Sequence, residues 1–246
     1  MAYTEGAEHS RSPMKKKCFL IVAPHPDDAE LGMGGTILLL KGMGHRVVIA
    51  DLTSGEPTPY GSEEKRGRET EEASTLLGIE ERMNLGLPNR YLFDTREARL
   101  LLAESIRIVR PDALFIPLSE DAHPDHIAAH ALSIGARFYA KYTQLSLEGD
   151  PWYVGRIFHY SCSHLRAIPR YSFLVDISKH FERKIEAARC YRSQFIDNPK
   201  NRSVFDYVRM RDSYFGSLIG TAYAEPLYSS EALGVTDPAL FIQDVS

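Results

Sequence analysis

The stretch CFLIVAPHPDDAELGMGGTILLLKGMGHRVVIADL, residues 18–52, holds two short apolar segments with a helical segment between them. Residues 18–23 are apolar without interruption, which is typical of a strand that is covered on both faces. Residues 32–41 predict a helix that ends near Gly42. Residues 46–52 are rich in Val and Ile and predict a second strand. A strand, a helix and a strand in this order indicate a βαβ unit with parallel strands.

Strands and helices continue to alternate after this unit. Helices are predicted at residues 63–77, 95–109 and 127–139, and strands between them at residues 82–87 and 113–118. The less regular later third predicts strands at residues 154–161 and 171–177, helices at residues 182–195 and 204–219, and an irregular tail. Strands that alternate with helices of this length indicate an α/β fold. We expect a mostly parallel sheet with helices on both faces, in a single domain over residues 15–246 with C-terminal additions.

Composition argues against two classes of partner. The net charge is -4, and Lys15, Lys16 and Lys17 form the only run of three basic residues. Proteins that bind nucleic acid usually carry a basic patch that neutralises phosphates, so we expect no nucleic acid partner. No apolar stretch approaches the ~18 residues that cross a bilayer, so we expect no membrane partner.

The N-terminal segment and the cysteines indicate the compartment. Residues 1–14 are polar and aperiodic, so we expect a disordered leader or a cloning remnant there. The apolar run that follows the three lysines is too short to be a secretory signal. Cys18, Cys162 and Cys190 are odd in number and widely spaced, which argues against a disulfide framework. The sequence therefore predicts a cytoplasmic protein.

Two polar clusters follow predicted strands directly. His25, Asp27 and Asp28 come after the first strand, and the run HPDH at residues 123–126 comes after the strand at residues 113–118. Open α/β sheets bind ligands beyond the carboxyl ends of their strands. Because both clusters lie at such ends, we expect them to meet at one edge of the sheet.

The residue types in these clusters suit a catalytic metal. Catalytic zinc takes three protein ligands, usually imidazole nitrogens and carboxylate oxygens, and keeps one position for water. The available donors are His25 and Asp28, with one or two of His123, His126 and His130. Asp27 is adjacent to a candidate ligand and can face the water, where a carboxylate acts as a general base. No cysteine takes part, which argues against a structural zinc site.

Several alternatives remain open at this point. A single His-Pro-Asp is usually a turn, and His130 can be an ordinary helix histidine. The glycine-rich segment at residues 32–35 follows a strand and suggests a dinucleotide site, with Asp51 as the only acidic partner. Its spacing departs from GxGxxG, so close helix packing is the favoured interpretation. A sugar-binding module without catalysis could use the same pocket and would not need Asp27.

Arg66, Glu69 and Glu72 share one face of the predicted helix at residues 63–77. They can form a solvated ion-paired face. Alternatively, the guanidinium of Arg66 can reach the site and orient a carboxylate. Spacing along the helix does not separate the two interpretations.

With these motifs the chain resembles the LmbE-like (PIG-L) family of zinc-dependent N-acetylglucosamine deacetylases. The resemblance rests on AxHPDDxExGMGGT at residues 23–36 and HPDH at residues 123–126. It extends to Arg66, Glu69 and Glu72, to residues 176–178 and 191–195, and to residues 223–225. Within the family the chain is most similar to the bacillithiol-pathway branch, which removes acetate from N-acetylglucosaminyl-malate. The resemblance implies a Rossmann-like sheet.

The resemblance also implies roles for individual residues. His25, Asp28 and His126 would be the ligands of one Zn²⁺, with another divalent metal as the alternative in the cell. Asp27 would be the general base. His123 would stabilise the oxyanion in its charged form and protonate the departing amine, with Asp125 orienting it. The substrate-binding residue would be Arg66.

Two further expectations concern the substrate and the assembly. Members of the bacillithiol branch carry Arg immediately before HPDH, where this chain has Ala122. This difference leaves open the aglycone, which is the group attached to the sugar, and allows another N-acetylglucosamine glycoside or oligosaccharide as substrate. By the same resemblance we expect a homo-oligomer, a trimer or a hexamer.

Overall fold

The computed structural model describes residues 15–164 and 167–235, so the predicted leader at residues 1–14 lies outside the described residues. The strands are β1 (Cys18–Ala23), β2 (Arg46–Thr53), β3 (Glu81–Leu87), β4 (Ala113–Pro117), β5 (Arg156–Tyr160), β6 (Phe173–Asp176) and β7 (Ala224–Tyr228). The helices are α1 (Asp28–Gly42), α2 (Glu63–Leu77), α3 (Arg96–Val109), α4 (Pro124–Ala140), α5 (Phe181–Arg189), α6 (Arg192–Phe195) and α7 (Val204–Leu218). The predicted alternation of strands and helices is confirmed.

The strands form one seven-stranded sheet in the order β3-β2-β1-β4-β5-β7-β6. The first five strands of this order, β3, β2, β1, β4 and β5, all run parallel to one another. Strand β7 lies between β5 and β6 and is antiparallel to both. The sheet is therefore mostly parallel, as predicted. In this order β1 and β4 are neighbours, so the loops that follow them emerge side by side.

Helices cover both faces of the sheet. Leu20 and Val22 of β1 pack with residues of α3 and α4, whereas Ile21 and Ala23 pack with residues of α1. All four side chains are fully buried. Alternate residues of a strand point to opposite faces, so burial on both faces explains why β1 is apolar at every position. Among the described residues, no helix is long and apolar enough to cross a bilayer.

The glycines of α1 allow close packing against β5 and against the segment that leads into α5. A Cβ atom at Gly35 would lie 2.6 Å from Cβ of Ile177, and one at Gly32 would lie 2.5 Å from the ring of Tyr160. Carbon atoms do not approach so closely without displacement. These glycines are packing positions, as the sequence analysis favoured.

Two helices begin earlier than predicted. Helix α1 begins at Asp28 rather than at residue 32, with Asp28 and Glu30 in its first turn, where acidic side chains favour a helix. Helix α4 begins at Pro124 rather than at residue 127. Proline suits the first turn because its missing N–H has no helical partner there. Both corrections place site residues on the first turn of a helix.

Two predictions in the later third were wrong. The helix predicted at residues 182–195 is broken into α5 and α6 by Tyr191, whose ψ of 61° is not helical. The tail predicted to be irregular contains β7, in which Pro226 pairs with Leu174. A five-residue strand that contains Pro and a buried Glu225 carries little local signal, because its stability depends on partners far along the chain.

A fully buried ion cluster joins the later third to α1. The ammonium group of Lys184 donates to Asp212 and to Glu225, at 2.6 Å in each case. The carboxylate of Glu225 also accepts hydrogen bonds from the backbone amides of Gly35 and Thr36, at 2.9 and 2.7 Å. The cluster therefore connects α1, α5, α7 and β7 underneath the helix whose first turn carries Asp28.

Candidate metal and catalytic site

The loop after β1 holds His25 and Asp28 in fixed contact. The backbone amide of His25 donates to Oδ2 of Asp28 at 3.1 Å, and Nδ1 of the same histidine lies 3.0 Å from that oxygen. Asp28 is buried on the first turn of α1. Backbone and ring of His25 therefore both contact one carboxylate.

The loop after β4 brings His126 to the same carboxylate. Its Nε2 lies 3.3 Å from Oδ2 of Asp28. One ligand atom from each of His25, Asp28 and His126 lies within 4.8 Å of the others. The two clusters predicted to converge at the edge of the sheet do so.

The electrostatics of this trio suit a cation. Burial lowers the pKa of His25, but hydrogen bonds that its ring donates to Asp125 and Asp28 outweigh burial and raise it to about 9. The pKa of His126 is also raised despite burial, chiefly by the charge of Asp28. The carboxylates thus favour positive charge at both imidazoles, and a divalent cation supplies that charge while releasing the protons. Two imidazoles and one carboxylate match the donors of catalytic zinc.

Asp121 stands behind two of the site histidines and was missed by the sequence analysis. Its Oδ1 accepts a hydrogen bond from the backbone amide of His123 at 2.8 Å. Its Oδ2 lies 3.0 Å from Nδ1 of His126, although the two are not aligned as a regular hydrogen bond. Carboxylates in this position fix the orientation of a ligand histidine. The one available signal was an acidic residue two positions before HPDH.

Asp27 occupies a strained backbone position. Its φ of 120° and ψ of -27° lie where residues other than glycine are rare. Such strain costs about 1–3 kcal/mol and occurs preferentially at functional sites. Burial raises the pKa of the Asp27 carboxyl to about 7, with Arg66 opposing the rise. A carboxyl group with a pKa near neutrality suits a general base.

Arg66 reaches the site from α2. Its Nη1 donates to Oδ2 of Asp27 and to the backbone oxygen of Pro26, at 2.8 Å in both cases. Glu69 is buried as well and accepts from Ser193, whereas Glu72 forms an exposed pair with Arg192. The interpretation as a solvated, ion-paired helix face therefore applies to Glu72 alone. The guanidinium of Arg66 instead orients the carboxylate of Asp27.

His123 and Asp125 lie at the site but contact each other through the backbone. The backbone amide of Asp125 donates to Nδ1 of His123 at 3.2 Å. The carboxylate of Asp125 instead accepts from Nε2 of His25 at 3.0 Å and from the backbone amide of Arg90 at 2.7 Å. Burial, together with the charges of His126 and His25, lowers the pKa of His123 to about 4. The surroundings of His123 therefore favour its neutral form, whereas the resemblance implies a charged one.

Of two further histidines, one lies outside the site and the other lies beside it. His130 lies outside the trio, with Nδ1 at 3.0 Å from the backbone oxygen of Pro117 and its ring stacked on His159. This geometry agrees with an ordinary helix histidine. His164, which no sequence pattern identified, lies with its ring centre 5.4 Å from that of His123 and 5.7 Å from that of His126.

A cavity opens directly on these groups. Its volume is about 160 Å³, and its lining includes His25, Asp27, Asp28, Arg66, His123 and His126. The cavity can admit an acetamide group together with part of a sugar ring. All of the predicted site residues except Asp125 line this cavity, and Asp125 supports it from behind through His25.

The dinucleotide alternative finds no matching geometry in the described residues. The space beside Gly32 and Gly35 is filled by protein side chains. Asp51 is buried and accepts two hydrogen bonds from Arg82, at 2.7 and 2.9 Å. The carboxylate that a ribose would need is therefore already engaged.

Comparison with known proteins identifies the family of the chain. Residues 20–136 match the PIG-L family, described as GlcNAc-PI de-N-acetylase. The chain is 30% identical over 229 residues to the diacetylchitobiose deacetylase of Thermococcus kodakarensis, and the match covers 85% of this chain and 81% of that enzyme. It is 29% identical to the 1D-myo-inositol 2-acetamido-2-deoxy-alpha-D-glucopyranoside deacetylase of Thermomonospora curvata, over 56% of this chain and 58% of that enzyme.

A solved structure shows the same fold. The crystal structure of a conserved protein from Thermus thermophilus is 42% identical and superposes with a TM-score of 0.81. The match covers 89% of this chain and 97% of that one. Sequence motifs, fold and relatives agree, and the chain belongs to the PIG-L (LmbE-like) family of N-deacetylases.

Proposed function

We propose that this enzyme removes acetate from N-acetylglucosaminyl-malate with one zinc ion bound by His25, Asp28 and His126. The observation that carries the proposal is the convergence of these three residues, with ligand atoms within 4.8 Å of one another, beside the strained carboxylate of Asp27. Family membership supports the reaction type. The malate aglycone is supported by the similarity of the motifs to the bacillithiol branch.

Different residues of the site perform different steps of amide hydrolysis. A zinc ion bound here would polarise the acetamide carbonyl and lower the pKa of a water molecule. Asp27 takes a proton from the attacking water, and Arg66 fixes the orientation of that carboxylate by its 2.8 Å hydrogen bond. His123, which lines the cavity, is placed to donate its ring N–H to the developing oxyanion and to pass a proton to the departing amine. The proton that Asp27 takes from the water replaces the one that the amine receives.

Two observations favour a second candidate substrate. The relative with 30% identity over most of both chains is a diacetylchitobiose deacetylase, and Ala122 stands where the bacillithiol branch carries Arg. An N-acetylglucosamine oligosaccharide is therefore the alternative substrate. Acetate release should be measured for N-acetylglucosaminyl-malate, its inositol counterpart, diacetylchitobiose and free N-acetylglucosamine. We expect the highest kcat/KM for the malate glycoside; a higher value for diacetylchitobiose would favour the alternative, and no acetate from any of them would indicate a binding module.

Replacing His126 by Ala is expected to abolish stable metal binding. The substitution removes one of three ligands, and an incomplete donor set does not hold zinc firmly. The measurement is zinc content by elemental analysis after gel filtration. His130→Ala is the matched control, because His130 lies one turn further along α4 and outside the trio, so it should retain zinc. Undiminished zinc in His126→Ala would overturn the assignment.

We also place the reaction in the cytoplasm and infer a homo-oligomer, a trimer or a hexamer. The location follows from the cysteines, which are odd in number and widely spaced. In the structure Cys18, Cys162 and Cys190 are free thiols. The assembly follows from the family resemblance. Light scattering on the purified protein measures its mass directly, and a monomeric mass would contradict the inferred assembly.

A further inference from the structure

A second cavity adjoins the proposed active site. Its volume is about 220 Å³. Ser163, His164, Phe195 and Asn201 line both this cavity and the one that opens on the proposed metal ligands. Since the two share these walls, they form one groove. A glycoside whose acetamide lies at the metal site can therefore extend its other end into the second cavity.

The second cavity has a positive character. Lys200 lines it, and none of the described residues around it is Asp or Glu. The acidic residue nearest to Lys200 in sequence, Asp197, pairs with Lys65 at 2.8 Å instead. The ammonium group of Lys200 takes part in none of the ion pairs of the described chain, and its side chain is exposed. It is therefore free to meet an anionic ligand.

The start of α7 adds to this character. Ser203, Val204 and Tyr207, from the first turn of that helix, line the cavity. The side chain of Ser203 occupies the N-cap position without making a capping hydrogen bond. The amides of Val204 and Tyr207 already donate to backbone oxygens, at 3.0 Å in each case, so the contribution of the helix start is the partial positive charge of its dipole, which favours anions. Phe195 and Tyr207 provide apolar surface for a short carbon skeleton.

We propose that this second cavity is the aglycone subsite of the enzyme and that it selects a carboxylate-bearing aglycone through Lys200. The proposal rests on the proposed function, because it assumes that the sugar lies in the first cavity. It makes Lys200 a residue that determines specificity and leaves the hydrolytic step to the residues around the metal. A neutral aglycone would occupy the same space without an ionic partner.

The test compares an anionic substrate with a neutral one in variants of Lys200. For N-acetylglucosaminyl-malate, Lys200→Ala is expected to raise KM by about tenfold, the size of one hydrogen bond to a charged group. For the methyl glycoside of N-acetylglucosamine, KM should stay within about twofold, as for the loss of an exposed charge with no partner. Lys200→Arg should keep most of the preference. Lys179→Ala, which removes an exposed lysine away from the groove, is the matched control and should leave both substrates unchanged.

An equal loss on both substrates, or no loss on the malate glycoside, would overturn the proposal. Calorimetric binding of the amine product, glucosaminyl-malate, reports on the subsite without turnover. If the zinc-loaded enzyme releases no acetate but binds this compound in a manner that depends on Lys200, the proposed function fails and the subsite remains. If Lys200→Ala binds glucosaminyl-malate as well as the unmodified protein does, the subsite assignment is wrong whatever the activity.

Discussion

Replacing Asp27 by Asn is expected to lower kcat by about 10²- to 10⁴-fold, which is the usual contribution of a general base. The amide can still accept the hydrogen bond from Arg66, but it cannot accept a proton from water. Asn also tolerates positive φ better than most residues, so the loop should keep its conformation. The measurement is kcat for acetate release, with zinc content determined on the same sample.

The control for this variant is Asp150→Asn, because the side chain of Asp150 is 84% exposed and lies outside the site. It should keep the full rate. Zinc content should be the same in both variants, since Asp27 is not among the three proposed ligands. An Asp27→Asn enzyme that retained most of its rate would contradict the assignment of Asp27 as the base. Loss of zinc together with activity would instead make Asp27 part of the metal site.

Replacing Lys184 by Met is expected to lower the free energy of unfolding by about 3–5 kcal/mol, the usual cost of breaking a buried ion pair on one side. The side chains of Asp212 and Glu225 are completely buried and would lose the ammonium group that donates to both. Arg211 contacts Asp212 at 2.8 Å and compensates for one of these losses in part. Urea unfolding, followed by circular dichroism, gives the free energy directly.

Lys41→Met provides the matched control. Lys41 pairs with Glu80, whose side chain is 81% exposed, so its removal should cost no more than about 1 kcal/mol. Adding Glu225→Gln to Lys184→Met should restore part of the lost stability, because it removes one of the unpaired charges. A Lys184→Met protein as stable as the Lys41→Met protein would show that the cluster contributes little.

Local patterns were sufficient to predict most of the sheet and helices. Strand β1 is apolar at each position because both faces are covered, and α2 begins and ends at the predicted residues since Ser62 caps one end and Gly78 takes the left-handed conformation at the other. The convergence of His25, Asp28 and His126 was predictable because they occur in two compact motifs, each directly after a strand.

The rest depended on contacts between distant parts of the chain. Tyr191 breaks the predicted helix as its hydroxyl donates to the buried Glu30, a residue far away in sequence. Spacing along α2 could not decide the role of Arg66, because its partner Asp27 lies in the distant loop after β1. His164 enters the site from the segment after β5, which has no motif. In each case the deciding interaction is tertiary, and no local periodicity encodes it.

The position of Glu225 has a consequence for fragments of this enzyme. The three proposed zinc ligands, the proposed base and Arg66 all fall within residues 20–136, the portion that matches the family. Yet Glu225, Lys184 and Asp212 all come later in the chain, and they hold the middle of the helix on which Asp28 sits. A shortened protein ending at residue 136 would contain the proposed ligands, base and Arg66. It would lack the three buried charged residues that hold helix α1 in place. The proposed catalytic residues and the side chains that support them thus lie in different portions of the chain.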